Sequence, residues 1–176
     1  MKKFLMLLVL VAMPLPTLAQ DEAAHRAAGC GPNEIQFVAK TDKKKHSKGE
    51  VASGKALVYI FDNRGGIGIG WQPARVGVDG TWVGANFKAS YFFFSVVPGE
   101  HNLCSSMKEP FSKTTNGSLL ATTFTAEAGQ VYYFAIQYNP DSGWKLWEIA
   151  PAEGQLEIGK LAFSTSTQKL EKPPNP

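Results

Sequence analysis

Three features of the sequence predict an all-β fold: a single small antiparallel β-sandwich of about seven to eight strands. Short runs of residues alternate in side-chain polarity, turn signals separate these runs, and a helical period is almost absent. The chain has 176 residues, of which 44% are hydrophobic and 11% aromatic. That length and composition suffice for one domain with a real core.

The first strong signal is the turn Asp79-Gly80, which lies between two apolar runs. Both central positions of a type I′ turn need positive φ, which Gly adopts freely and Asp tolerates. A hairpin closed by this turn places Val76 opposite Val83. It also places Trp82 over the bare backbone of Gly77, a known way of covering a glycine in a sheet.

A second turn signal, Pro98-Gly99, favours a type II turn because Pro presets φ and Gly supplies positive φ. A hairpin closed there would pair Phe94 with Leu103 and Val96 with His101. We expect Leu103 to share one core face with Phe92, Phe94 and Val96.

The strand before that turn, Ser90–Val97, is apolar on its opposite face too, where Tyr91 and Phe93 project. A strand that is apolar on both faces is typical of a central strand with both faces covered.

Other segments complete the predicted sandwich. The residues between Ala152 and Phe163 fit a short helix or an edge strand, and we favour the helix because Pro151 suits a helix start. The remaining strands are Ile35–Ala39, Lys55–Asp62, Leu119–Ala126 paired with Gln130–Tyr138 through Ala128-Gly129, and Trp144–Ala150.

The expected organisation has four parts. Residues 1–19 read as a cleaved secretory signal, because Lys2 and Lys3 precede an apolar run too short to span a bilayer. Cleavage after Ala19 would export the chain to the periplasm or the extracellular space, with no transmembrane segment in the mature chain. Residues 20–54 form an N-terminal strand and a lysine-rich loop, residues 55–163 the sandwich, and residues 164–176 a disordered tail.

Charge excludes one class of partner. Removing Lys2 and Lys3 lowers the net charge from +3 to +1, and the segment Lys40–Glu50 alone contributes +3. The rest of the mature chain therefore carries −2. Nucleic-acid binding needs a basic stripe on the fold itself, so we expect no nucleic-acid partner. We expect the lysine-rich segment to be an ordinary solvated linker.

Two cysteines occur, Cys30 and Cys104. An even pair in an exported chain suggests a disulfide, which would fasten the N-terminal segment to the strand after Pro98-Gly99. Two buried free thiols, or a reactive Cys104, are the alternatives.

The ordered motifs resemble a family of bacterial exported and lipoprotein domains that is catalogued only as a domain of unknown function. That resemblance implies a small β-sandwich outside the cytoplasm and no activity. No cysteine follows the leader directly, which departs from the lipoprotein members. A looser likeness is to surface-layer modules of the PEGA type. The motifs are Lys55–Tyr59, Val76–Gly80, Trp82–Gly84, Tyr91–Phe94, Pro98–His101 and Ala128–Phe134.

No catalytic or metal constellation stands out in the sequence. The histidines His25, His46 and His101 have no zinc-ligand spacing. Ser90 and Ser95 lack a nucleophile elbow. The glycine run Gly65–Gly70 is followed by a strand rather than a helix, so it reads as a connector rather than a phosphate loop. We expect no cofactor and no enzyme.

Aromatic side chains are the better functional candidates. Trp144 and Trp147 cannot face the same way on a regular strand, so one of them is expected to be exposed. Trp71, Trp82 and that exposed ring could form a platform for a cell-envelope protein or glycan; packing of all of them against the fold is the competing interpretation. An envelope hydrolase or transferase, and a structural spacer, are the alternative functions.

Overall fold

The computed structural model describes residues 17–64, 72–108 and 118–170, which form ten strands and two helices. In chain order the elements are α1 (Thr17–Ala27), β1 (Ile35–Asp42), β2 (Ala56–Asp62), β3 (Ala74–Val78), β4 (Thr81–Asn86), β5 (Ser90–Val96), β6 (Gly99–Met107), β7 (Ser118–Ala126), β8 (Val131–Asn139), β9 (Gly143–Glu148), α2 (Pro151–Lys160) and β10 (Ala162–Leu170).

The strands form two sheets that pack face to face, which confirms the predicted β-sandwich. Sheet A has the order β1-β10-β5-β2-β8-β9, and sheet B the order β4-β3-β6-β7. The core between them takes side chains from both sheets, including Val58 and Phe134 of sheet A and Val76 and Leu103 of sheet B. Burial of these apolar surfaces is the main favourable term in folding.

Strands β2 and β5 are interior strands of sheet A, and for β5 its two apolar faces predicted this. Every residue of β2 is buried. On β5, Phe92 and Val96 face the core between the sheets. Tyr91 and Phe93 join a second cluster on the outer face of sheet A.

The hairpin at Asp79-Gly80 is confirmed. Both residues have positive φ, of 49° and 80°, and Gly77 pairs with Trp82. One detail differs: the register shifts next to Gly77, so that Val76 pairs with Gly84 rather than with Val83. A β-bulge of this kind leaves one residue unpaired and increases the local twist.

The other two predicted hairpins are wrong, because both turns carry the chain from one sheet to the other. After Pro98-Gly99 the chain leaves β5 for β6, which pairs with β3 and β7 in sheet B. After Ala128-Gly129 it leaves β7 for β8, which pairs with β2 and β9 in sheet A. Strands β5 and β8 already have partners on both sides, so neither has an edge free for a hairpin partner.

Sheet A is mixed rather than purely antiparallel, because β2 pairs parallel with β8 and the predicted tail contributes a second parallel pair. Residues 162–170 form β10, which pairs antiparallel with β1 and parallel with β5. The tail prediction is therefore wrong for residues 164–170. Ser164 and Ser166 of β10 also bond the backbone of Ala85, which satisfies edge groups of β4. The predicted helix after Pro151 is confirmed as α2.

The N-terminal segment covers the outer face of sheet B. Cys30 and Cys104 form a disulfide with a Cα–Cα distance of 5.5 Å, as predicted. The indole of Trp82 lies over Gly77 and donates a hydrogen bond to the Pro32 carbonyl at 2.7 Å. This packing makes the segment part of the fold.

Candidate functional site

The lysine-rich loop is fixed to the fold, while its lysine side chains are exposed, as predicted. Its residues 43–54, named the lysine strap here, cross the outer face of sheet A and are held there by three hydrogen bonds. Ring atom Nδ1 of His46 bonds the Ile158 carbonyl at 2.9 Å, and the Tyr91 hydroxyl donates to the Ser47 carbonyl at 2.8 Å. The Gly49 N–H donates to the Tyr59 hydroxyl at 2.8 Å. The predicted solvation of the lysines is therefore confirmed, but the segment is held to the fold rather than being a free linker.

A cavity of about 520 Å³, named the strap cavity here, lies beneath the strap, against β2, β8 and α2. This volume falls within the range of about 300 to 1,000 Å³ that is usual for small-molecule sites. Its described lining residues are Lys48, Gly49, Val51, Leu57, Tyr59, Val131, Tyr133, Gln155 and Ile158.

Glycines allow the covering elements to approach the sheet closely. A Cβ at Gly154 of α2 would lie 2.3 Å from the Tyr133 ring, and a Cβ at Gly49 would lie 2.7 Å from the Phe93 ring. Larger residues at either position would force α2 or the strap away from the sheet. The width of the strap cavity is therefore set by these two contacts.

Two stacked tyrosines form the floor of the strap cavity. The rings of Tyr59 and Tyr133 lie 5.3 Å apart, with an angle of 16° between their planes. Burial raises the pKa of the Tyr59 phenol; the hydrogen bond from Gly49 opposes this effect and the neighbouring Tyr133 adds to it. Burial, with a smaller contribution from Tyr59, likewise raises the pKa of Tyr91 to about 12. Tyr59 and Tyr91 therefore stay protonated at neutral pH and can donate hydrogen bonds.

The described tryptophans do not form a platform. Trp82 is buried, with 4% of its surface exposed, so it is removed from the predicted binding surface. Trp144 packs against the core between the sheets, whereas Trp147 is 37% exposed. The two therefore differ in exposure as expected, but neither lies in the cluster that holds Trp82. Trp71 lies outside the described residues, as do the leader up to residue 16 and the glycine run.

His101 is a packed histidine of β6, and it links the two turn motifs. Its Nδ1 lies 2.6 Å from a carboxylate oxygen of Asp79, and its Nε2 lies 2.7 Å from the Val97 carbonyl. Both partners are acceptors, so both ring nitrogens must carry protons to satisfy them. Burial alone would lower the pKa of His101, but the bonds to Asp79 and Val97 and the charge of Asp79 together raise it.

This pair predicts a pH-dependent contribution to stability. Because the pKa of His101 is raised in the folded state, protonation of His101 stabilises the fold. This stabilisation is complete below the unfolded-state pKa of about 6.5 and is lost as the pH rises through the folded-state pKa. We expect His101→Gln to lower the free energy of unfolding by about 1 to 2 kcal/mol at pH 6 and by less at pH 9. Urea unfolding across this range measures the difference. In the Asp79→Asn background, the effect of His101→Gln on the free energy of unfolding should vary less with pH. A loss of stability in His101→Gln that is the same at pH 6 and pH 9 would contradict the proposed pairing of His101 with Asp79.

A buried ion pair that was not predicted from the sequence lies at the end of β2. The guanidinium of Arg64 donates two hydrogen bonds to the Asp62 carboxylate, at 2.8 and 2.6 Å, and both side chains are fully buried. The nearby residues Lys88 and Ala89 adopt φ of 43° and 38°, which is strained for residues other than Gly. The sequence does carry a signal for this ion pair, because Asp62-Asn63-Arg64 directly follows a continuous run of apolar residues.

A second groove, of about 480 Å³, includes Arg75, Lys108 and Lys169. The Arg75 guanidinium, however, donates to Asn33 and Ser106. Its charge is thus engaged in holding the N-terminal segment to sheet B. The strap cavity is the better candidate for a ligand site.

The fold and the site define a disulfide-linked β-sandwich with a cavity beneath a lysine strap. A scan against protein-family models, a search of curated proteins and a search of solved structures each found no match. Among residues 17–64, 72–108 and 118–170, no helix is long and apolar enough to cross a bilayer, and no group of ligating side chains could hold a metal ion.

Proposed function

We propose that this chain is an exported, non-catalytic binding module and that its ligand occupies the strap cavity. The observation that carries the proposal is the cavity itself. It has a floor of stacked tyrosines and a cover fixed by three hydrogen bonds. A preformed concave cavity that combines apolar side chains with a few polar groups is the usual form of a small-molecule site.

The proposal of export rests on two features. The leader pattern in residues 1–19 is typical of a secretory signal, and the Cys30–Cys104 disulfide suits an oxidising compartment. The resemblance to exported domains of unknown function agrees with both. The ligand would accordingly be a component of the cell envelope.

Binding is favoured over catalysis by the chemistry of the cavity. Its described polar side chains are Lys48, Tyr59, Tyr133 and Gln155, without a carboxylate, imidazole, serine or thiol among its lining residues. An envelope hydrolase or transferase would need a nucleophile with a base beside it. Both ring nitrogens of His101 are engaged elsewhere.

Blocking the cavity tests the proposal. Anilinonaphthalene sulfonate is the probe, because its fluorescence reports an apolar environment. We expect it to bind the native chain saturably, and we expect Val131→Trp to weaken binding about tenfold or more by filling the cavity, a loss of about 1.4 kcal/mol. The measurement is fluorescence titration.

The matched control is Val97→Trp, on an exposed residue between β5 and β6 that lines neither the strap cavity nor the second groove. It adds the same side chain and should leave the affinity unchanged. Equal binding to both variants, or no saturable binding to the native chain, would contradict the proposal. A spacer module would give the second result.

A further inference from the structure

We infer that the ligand of the strap cavity is an anionic amphiphile, an alkyl chain that ends in a carboxylate or a phosphate. The inference rests on the proposed function and names the class of ligand. It follows from three properties of the lining: the supply of hydrogen-bond donors, the sign of the charge and the position of the apolar residues.

The first property is the supply of donors. The oxygen of Tyr59 already accepts a hydrogen bond from Gly49, so the phenol proton remains to be donated. The hydroxyl of Tyr133 makes no hydrogen bond within the described part of the chain. Both residues are more than nine-tenths buried, with 3% and 6% exposed. Two phenol protons that line one cavity, on rings stacked 5.3 Å apart, can be donated to a ligand atom that accepts them.

The second property is charge. Lys48 carries its ammonium group on the strap beside the cavity and forms no ion pair with any described residue. The nearest acidic residues along the strap and α2, Glu50 and Glu153, are exposed and do not line the cavity. Glu157 is paired with Lys160 at 3.1 Å. The strap carries four lysines against one carboxylate, that of Glu50, and this net positive charge beside the cavity complements an anion.

The third property is an apolar surface beside these donors. Val51 of the strap, Leu57 of β2, Val131 of β8 and Ile158 of α2 line the same cavity. An inorganic anion would leave this surface uncovered, whereas an alkyl chain would cover it and release water. A chain without a polar head would leave the phenols without an acceptor, and a neutral head such as a hydroxyl would leave the charge of Lys48 without a countercharge. The anionic amphiphile is the class that satisfies both parts.

Competition against the fluorescent probe separates these possibilities. Octanoate, octyl phosphate, octanol and acetate are titrated against the native chain with bound anilinonaphthalene sulfonate. We expect octanoate or octyl phosphate to displace the probe at a concentration about tenfold or more below that of octanol, because hydrogen bonds to charged groups are the stronger ones. Acetate should not displace it. The tighter of the two anions identifies the headgroup as carboxylate or phosphate.

Two variants test the assigned residues. Lys48→Gln should weaken octanoate about tenfold and leave octanol unchanged, and Tyr133→Phe should act in the same direction. The matched control is Lys44→Gln, on an exposed strap lysine that does not line the cavity, which should bind octanoate as the native chain does.

The outcomes distinguish the two proposals. If octanol competes as well as octanoate, or if Lys44→Gln and Lys48→Gln weaken octanoate equally, the anionic class is overturned and the cavity remains the binding site. If none of the four compounds displaces the probe and Val131→Trp leaves probe binding intact, the proposed function itself fails.

Discussion

Replacing Arg64 with methionine is expected to lower the free energy of unfolding by about 3 to 5 kcal/mol. Asp62 and Arg64 are fully buried and joined by two short hydrogen bonds. Removing the guanidinium leaves the carboxylate of Asp62 buried without its countercharge, and the cost of that desolvated charge exceeds the worth of an ordinary surface pair. Urea unfolding of the purified chain measures the change.

An exposed pair provides the control. Arg26 lies 3.8 Å from Glu22 on α1, with 79% of the Arg26 side chain exposed, so Arg26→Met should change the stability by less than about 1 kcal/mol. The double replacement Asp62→Leu with Arg64→Met should recover part of the loss, because it removes both buried charges. A single-variant loss no larger than that of Arg26→Met would show that the pair does not stabilise the fold.

Removing the disulfide is expected to have an effect of similar size. The bond joins residues 74 positions apart. In the chain-entropy model, closing a loop of that length lowers the entropy of the unfolded chain and so stabilises the fold by on the order of 4 kcal/mol. The double variant Cys30→Ala with Cys104→Ala should lose about 2 to 5 kcal/mol. Urea unfolding of the native chain and of the double variant, both under oxidising conditions, measures the difference in the free energy of unfolding.

The native chain in a reducing agent is the matched control, because the reducing agent breaks the same bond without replacing either cysteine. Its stability should fall to that of the double variant. The segment that covers sheet B should also become more accessible to protease, because it would then be held by side-chain packing and by hydrogen bonds to Trp82 and Arg75 without a covalent link. A double variant as stable as the oxidised native chain would contradict the expectation.

The candidate site was less predictable from the sequence than the fold was. Tyr59, Tyr91 and Phe93 were expected on an apolar face, and they are. What covers that face was not foreseen, because polar lysines and glycines carry no burial pattern. The strap is held by hydrogen bonds to residues distant in sequence, from Ser47 to Tyr91 and from His46 to Ile158. Contacts of this kind leave no local signal.

The sequence alone determined those features whose physics is local. Alternation of side chains assigns each residue of β2 and β5 to a face, and Asp79-Gly80 closes its hairpin because both residues tolerate positive φ. Only the tertiary structure decided whether Pro98-Gly99 closes a hairpin or passes between sheets, and whether residues 162–170 join a sheet. A turn sequence sets the backbone angles of its own residues. The partner of the next strand depends on which edges are free and on which pairing buries the apolar faces, and both are properties of the whole chain.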